Sequence, residues 1–402
     1  MRSFSSLLFI FLLVPQAGIT QQSDPERRIG AVEALIKQRP EDGTLYFYLA
    51  RFQCEAGSVP KALAALENVE KYGDGFMPTR DGFEKCYEDA GFQQVRARME
   101  ARLPRLDFAP TAFEIEDRAL IPEGIAHDAV SNAFFIGSTT RGTITRVGFG
   151  NELSEFSPRL EGLDAILGLA VDAPRRLLYA VGTSALTAPG RARRQNAVLA
   201  FDLDKRSLAR RVDVPEAVQL NDVAVGFGGR VFASDSGSGA IFEIPRQGPA
   251  RTVVAADRLR GSNGLAMSPD GRKLYVAHST GLAVIEPGTG EIKRVNNTTR
   301  ETVAGIDGLY DFHGELIGVQ NLTTPGRVIL ISLSRDGESI TRVRTLLSHH
   351  HNALDEPTTG VITERGFYLL AATGVRHLNE QGGIDDPSSV PRPTVLRIPL
   401  PR

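Results

Sequence analysis

Apolar positions recur along this chain with two different periods. Between 25 and 102 they follow helical spacing: Ile29, Val32, Leu35 and Ile36 come first, and Pro40 stops the segment. Leu45, Tyr48, Leu49 and Phe52 follow, Gly57 breaks the pattern, and Ala62, Leu63, Leu66 and Val69 resume it. Two short amphipathic stretches across a Gly-containing turn predict an αα-hairpin. A further helical pair is expected around 83–87 and 92–99. The prolines at 104, 110 and 122 then mark a segment with no clear period, read as a linker over 103–121.

Beyond the linker the pattern shortens to β-rich runs separated by Asp, Gly, Pro and Asn. One phrase returns six times: Glu123-Gly-Ile-Ala, Leu167-Gly-Leu-Ala, Asn221-Asp-Val-Ala, Asn263-Gly-Leu-Ala, Asp307-Gly-Leu-Tyr and Thr359-Gly-Val-Ile. Successive copies lie roughly 40 to 55 residues apart, the length of a four-stranded propeller blade. A turn and a second apolar run follow each copy, as in Ser268-Pro-Asp-Gly before Lys273-Leu-Tyr-Val-Ala, where Asp-Gly is a strong hairpin signal. The fold expected is mainly β: a six-bladed β-propeller over 122–402, preceded by a small α-helical domain over 24–102. No amphipathic helices alternate with the strands, so an α/β sheet is excluded.

Composition adds limits. A formal charge of −2 gives no reason to expect nucleic acid as a partner. Residues 1–20 begin with Arg2, continue with an apolar run over 7–14 and end in small and polar residues, the layout of a secretory signal. The expectation is therefore an exported protein, periplasmic or extracellular, with no membrane span. An oxidising compartment permits a bond between the two cysteines, Cys54 and Cys86; two buried thiols are equally compatible with the sequence.

In a propeller the innermost strand of each blade runs along the central channel, so residues opening the six inner strands ring one mouth. They are Glu123, Leu167, Asn221, Asn263, Asp307 and Thr359. Asn or Asp before Gly is an ordinary turn pair, but four oxygen donors at one register from separate blades are not turn chemistry alone. Carboxylates brought together call for a proton or a counter-charge, and a hard divalent cation with oxygen ligands, calcium above all, supplies one. With no thiolate or histidine in the ring, zinc and copper do not suit it. Elsewhere, His349, His350 and His351 and the basic run Arg191, Arg193 and Arg194 are expected in solvated loops. His127 and His278 are expected as core or rim residues. Asp235 is expected to fix a turn, and Asp355-Glu356 to form either a charged turn or part of the mouth.

The motifs Pro122-Glu-Gly-Ile, Leu220-Asn-Asp, Ser262-Asn-Gly-Leu-Ala-Met-Ser-Pro-Asp-Gly and Asp307-Gly-Leu resemble the gluconolactonase/regucalcin (senescence marker protein) family. The diisopropyl-fluorophosphatase and paraoxonase propellers belong to the same superfamily. The resemblance covers the chain from about 122 onward. It implies that Glu123, Asn221, Asn263 and Asp307 hold a metal, with Asn221 also assigned to substrate in some members. Regucalcin members often carry an Arg two residues before the first Asn, for sugar hydroxyls; here that position is Gln219, taken as substrate-binding. Separately, the stretch 45–73 resembles a tetratricopeptide hairpin, which implies a possible protein partner. At most two such pairs are present, too few for a self-supporting solenoid.

The function expected is calcium-dependent hydrolysis of a lactone or related ester, with Asp307 as catalytic base or nucleophile and a small molecule as substrate. The alternative is a calcium-stabilised propeller that binds a ligand or protein without catalysis.

Overall fold

In the computed structural model, residues 25–184, 195–379 and 382–401 are described. The leader read at 1–20 and the basic run at 191–194 lie outside them. Among the described residues no helix is long and apolar enough to cross a membrane.

Among the described residues four helices come first: α1 (Pro25–Gln38), α2 (Gly43–Glu55), α3 (Val59–Tyr72) and α4 (Ala90–Glu100). Asp42 caps α2 by accepting a bond from Thr44 N at 3.0 Å, and Gly57 turns the chain into α3 with a φ of +79°. Phe47 of α2 and Leu66 and Val69 of α3 share one core with Phe76, Phe83 and Phe92. Cys54 and Cys86 are disulfide-bonded within it, their Cα atoms 5.7 Å apart. The stretch expected to be helical around 83–87 is instead a run of turns. Gly82 enters it at a φ of +81°, and Asp89 caps α4 beyond it by accepting from Phe92 N.

Six sheets follow among the described residues; four are simple meanders outward from the channel, and in the fifth the short strand Asn296–Asn297 adds parallel to the outer edge. Their inner strands are Pro122–Asp128, Ala165–Asp172, Leu220–Val225, Leu265–Met267, Ile306–Phe312 and Gly360–Thr363, for blades 1 to 6. Each blade packs on the next through its own apolar layer. Phe135 and Phe156 of blade 1, for example, meet Leu178, Leu199 and Phe201 of blade 2. The circle closes in blade 6, whose outermost strand, Thr111–Glu114, comes from the other end of the propeller sequence and pairs antiparallel with Thr394–Ile398. The segment read as a linker therefore contains a strand of the propeller.

The glycine of the recurring phrase has a steric reason. A Cβ on Gly124 would stand 2.0 Å from the Leu167 carbonyl oxygen, and one on Gly264 would stand 2.3 Å from that of Asp307. At these two positions the neighbouring inner strand passes too closely for any side chain.

The helical domain sits on the ring end of the propeller, over blades 4 and 5. Tyr48 donates its hydroxyl to Ser279 O at 2.7 Å, and Met77 N donates to Thr323 O at 2.9 Å. Ser279 and Thr323 both follow second strands, which run back toward the mouth. Between them Asp74 N donates to Arg300 O and Thr302 N to Asp74 O. The buried Arg327 ties Glu301 (2.9 Å) to Gln320 (2.6 Å).

Cross-linking cysteines 32 residues apart removes chain entropy worth about 3–4 kcal/mol from the unfolded state. Replacing both by alanine is expected to lower stability by about that much in denaturant titrations. An unchanged midpoint would show that the helical core holds without the bond.

Candidate functional site

The structure brings the six phrase-opening residues to one end of the channel. Glu123, Asn221, Asp307 and Thr359 are buried at 6%, 6%, 7% and 7% exposure, and Asn263 is partly buried. Asp307 is the best held. Its Oδ1 accepts from Asn263 Nδ2 at 2.8 Å and its Oδ2 from Asn321 Nδ2 at 2.7 Å. Asn321 is itself fixed by donating to Pro357 O at 3.0 Å. The backbone carbonyl of Glu123 accepts from the hydroxyls of Thr358 and Thr359, which ties blade 6 to blade 1 at the mouth. Asn221 Nδ2 reaches Ser236 Oγ at 3.5 Å.

Two members of this cluster were not anticipated. Asp222 occupies the position that is glycine in the other five phrases, and it is buried at 8% exposure. Its carboxylate accepts from Val223 N at 2.8 Å and from Leu265 N at 3.0 Å, joining the inner strands of blades 3 and 4. A signal existed for this residue, since Asp in a glycine register stands out once the phrases are aligned. Asn321 belongs to a second repeated position, just past each second strand, where Thr139, Ser184, Ser236, Ser279 and Thr373 stand in the other blades. It is the one amide among hydroxyls there, a departure readable only with strand ends in hand.

Electrostatics single out the ring. Burial pushes the Glu123 carboxyl well above its ordinary range, and Asp307, Glu356 and Asp222 push it further. Burial likewise raises Asp307, against the bonds from Asn321 and Asn263 that lower it. Burial carries Asp222 up to about 7, opposed by the Leu265 and Val223 N–H groups and assisted by Asp307. Carboxylates this close favour the charged form only when something positive is shared among them. The side chains that bond Asp307 are neutral amides, and Glu123, Asn221, Asn263 and Asp307 offer a metal two carboxylates and two amide carbonyl oxygens. That donor set fits a hard divalent cation.

The other residues singled out from the sequence fall in different places. Gln219 is partly exposed beside the ring, with its backbone held by Asp235, which accepts from Gln219 N at 2.8 Å. Asp235 also accepts from Val218 N, Gly237 N, Ser238 N and the Ser238 hydroxyl, so its carboxylate is consumed in fixing a turn. Glu356 reaches the mouth, where Arg376 pairs with both it and Asp355. His127 lies at the opposite end, 3.2 Å from Asn132 Oδ1, on a cleft of about 830 Å3 with Phe134 and Tyr368. His278 faces the helical domain, and burial together with Arg294 and Arg39 lowers it to about 4, so it stays neutral. A cleft of about 310 Å3 at that seam is lined by Arg39, Asp42, Tyr72, Arg294 and Arg300, away from the ring. The histidines at 349–351 do not form the solvated loop expected of them: Ser348 bonds Leu106 and His351 bonds Ala109, so the run is fastened to the 106–109 segment.

No known protein-family profile matches the chain, and no curated protein does. Solved structures share its fold at low identity. The major allergen Mala s 1 of Malassezia sympodialis superposes with a TM-score of 0.55 at 14% identity, covering 69% of this chain and 93% of the allergen. A gluconolactonase of Xanthomonas campestris gives 0.48 at 15% identity, over 74% of this chain and 91% of its own. A virginiamycin B lyase of Staphylococcus aureus gives 0.47 at 10%, over 73% and 99%. At 14% identity the likeness to the allergen bears on the fold alone and leaves the chemistry to the site.

The raised carboxylates set a pH dependence. In metal-free protein the folded state binds more protons than the unfolded state between about pH 4 and about 7, so these groups make stability fall as pH rises through that window. Melting curves in EDTA are expected to show Asp222→Asn gaining on wild type from pH 4 to 7. A gap that stays constant would remove Asp222 as a titrating member of the cluster.

Proposed function

We propose that this chain is a metal-dependent hydrolase of a lactone or related ester, with calcium held at the mouth by Glu123, Asn221, Asn263 and Asp307. The observation that carries this reading is the pair of amide bonds on Asp307. Asn263 and Asn321 hold its two oxygens from different blades, so the carboxylate is oriented before any substrate arrives. A bound calcium ion would polarise the ester carbonyl and stabilise charge developing on its oxygen. Asp307 then takes a proton from the attacking water, or attacks the carbonyl carbon itself. Asn221 and the partly exposed Gln219 flank the mouth where a substrate's polar groups would rest. The Cys54–Cys86 bond suits the export read from the leader.

A second reading has its own support. The ring residues are nearly inaccessible, and the helical domain stands over blades 4 and 5 at the same end. A calcium ion buried there would brace the blades with no access for a substrate, and the helical surface would serve a protein partner.

Calorimetry and turnover separate the two. Calcium is expected to bind wild type and to lose its affinity in both Glu123→Gln and Asp307→Asn. Against a panel of lactones and esters, Asp307→Asn is expected to lower turnover by about 10²–10⁴-fold while melting no lower than wild type in EDTA. Full activity in Asp307→Asn would remove its catalytic role. Tight calcium binding with no hydrolysis of any panel member would favour the bracing role, and no binding of calcium or magnesium would end the metal reading.

A further inference from the structure

At the mouth end, the last turn of α4 meets the connection between blades 5 and 6, and the three consecutive histidines there have different surroundings. His351 is satisfied at both ring nitrogens. Its Nε2 lies 2.9 Å from Ala109 O, which can only accept, and its Nδ1 accepts from Ala353 N at 3.1 Å. It is a strut under the chain that leads into the closing strand.

His350 is oriented differently. Its Nδ1 lies 3.0 Å from Ser348 Oγ, while that hydroxyl donates to Leu106 O at 3.1 Å and accepts from Leu106 N at 3.1 Å. With the serine proton committed to a carbonyl, His350 Nδ1 is the donor of its pair, and Nε2 carries the lone pair. His349 has its side chain 11% exposed, and its Nε2 is buried with no hydrogen-bond partner; Glu100 Oε1 lies 3.6 Å from it. Glu100 Oε2 in turn lies 3.4 Å from Arg96 Nη1, one helical turn back. The rings of His349 and His350 are 4.1 Å apart between centroids.

Glu100, His349 and His350 each present a ligand atom, and these atoms lie within 4.8 Å of one another. We propose that they form a binding site for a zinc-type transition-metal ion that fastens the helical domain to the propeller, with water completing the coordination. Metal–ligand bonds of about 2.0–2.2 Å place tetrahedral ligands roughly 3.4 Å apart, and the 3.6 Å between His349 Nε2 and Glu100 Oε1 is close to that spacing. The surroundings match what such a site requires. The Ser348 hydroxyl sets the tautomer of one imidazole, and Arg96 holds the second oxygen of the carboxylate. Two imidazoles and one carboxylate suit zinc, nickel or copper and not calcium, whereas the all-oxygen ring has the opposite preference. The chain thus carries two cation sites sorted by donor hardness. One lies on the axis; the other joins residue 100 to residues 349 and 350, at the seam.

The test uses the full chain stripped with EDTA and then saturated with calcium, so that the ring does not compete. Cobalt(II) is titrated in and followed by its visible d–d bands, with zinc back-titration. One ion per chain is expected, with affinity reduced more than about 10-fold in His349→Ala, His350→Gln and Glu100→Gln. Melting curves without transition metal should match wild type for His350→Gln, whose ring is partly exposed, and that variant decides the matter if His349→Ala fails to fold. Zinc should raise the melting temperature of wild type and leave that of His350→Gln unchanged. No cobalt or zinc bound by wild type, or equal binding in wild type and His350→Gln, would overturn the proposal without touching calcium binding at the ring.

Discussion

Closure of the circle is the constraint on which everything else in this protein rests. Blade 6 exists as a four-stranded sheet only because Thr111–Glu114 pairs with Thr394–Ile398. With that pairing in place, the blades are pressed together by six apolar layers, including one in which Phe113 and Tyr368 of blade 6 meet Ile125 and Ile136 of blade 1. Inner strands are then so close that a methyl group at Gly124 would collide with the neighbouring carbonyl. The convergence of Glu123, Asn221, Asn263 and Asp307 is a product of this geometry. Each residue sits on a different blade, and no local structure would gather them.

Two kinds of buried carboxylate show how the same residue type is put to different ends. Asp235 receives five hydrogen bonds from backbone and serine donors and is thereby exhausted as a ligand. Asp307 receives two, from the amides of Asn263 and Asn321, and faces Glu123 across the channel mouth. A carboxylate saturated by its own protein is architecture; one left partly satisfied among its like is suited to an ion or to chemistry.

Much of this was legible in the sequence. Six returns of one phrase specified six blades, and the first residue of each phrase specified the mouth. What could not be read had physical causes. The strand at 111–114 has no partner nearby in sequence, so its segment reads as a connection between prolines. Asp222 was masked by the glycine it replaces. Asn321 is visible only after the ends of the second strands are known. The turns around Phe83–Tyr87 carry apolar residues at near-helical spacing, yet the disulfide at Cys86 and the glycine entering at 82 hold them otherwise. For the histidine run, adjacency in sequence says nothing of what another domain brings to it, here Glu100 from α4.

The closing pair has a further consequence, and it concerns time more than structure. Thr111–Glu114 leaves the ribosome before any blade does, while the strand it pairs with comes last, 280 residues after it. Until then the first strand of the propeller is an unpaired edge, the state most open to wrong partners. The helical domain, whose own contacts are short-range, can form meanwhile and stand immediately upstream of that edge. Its final docking, on blades 4 and 5, waits as well. The chain thus begins assembly with a domain that folds quickly and must hold a strand in reserve until the rest of the circle has been synthesised.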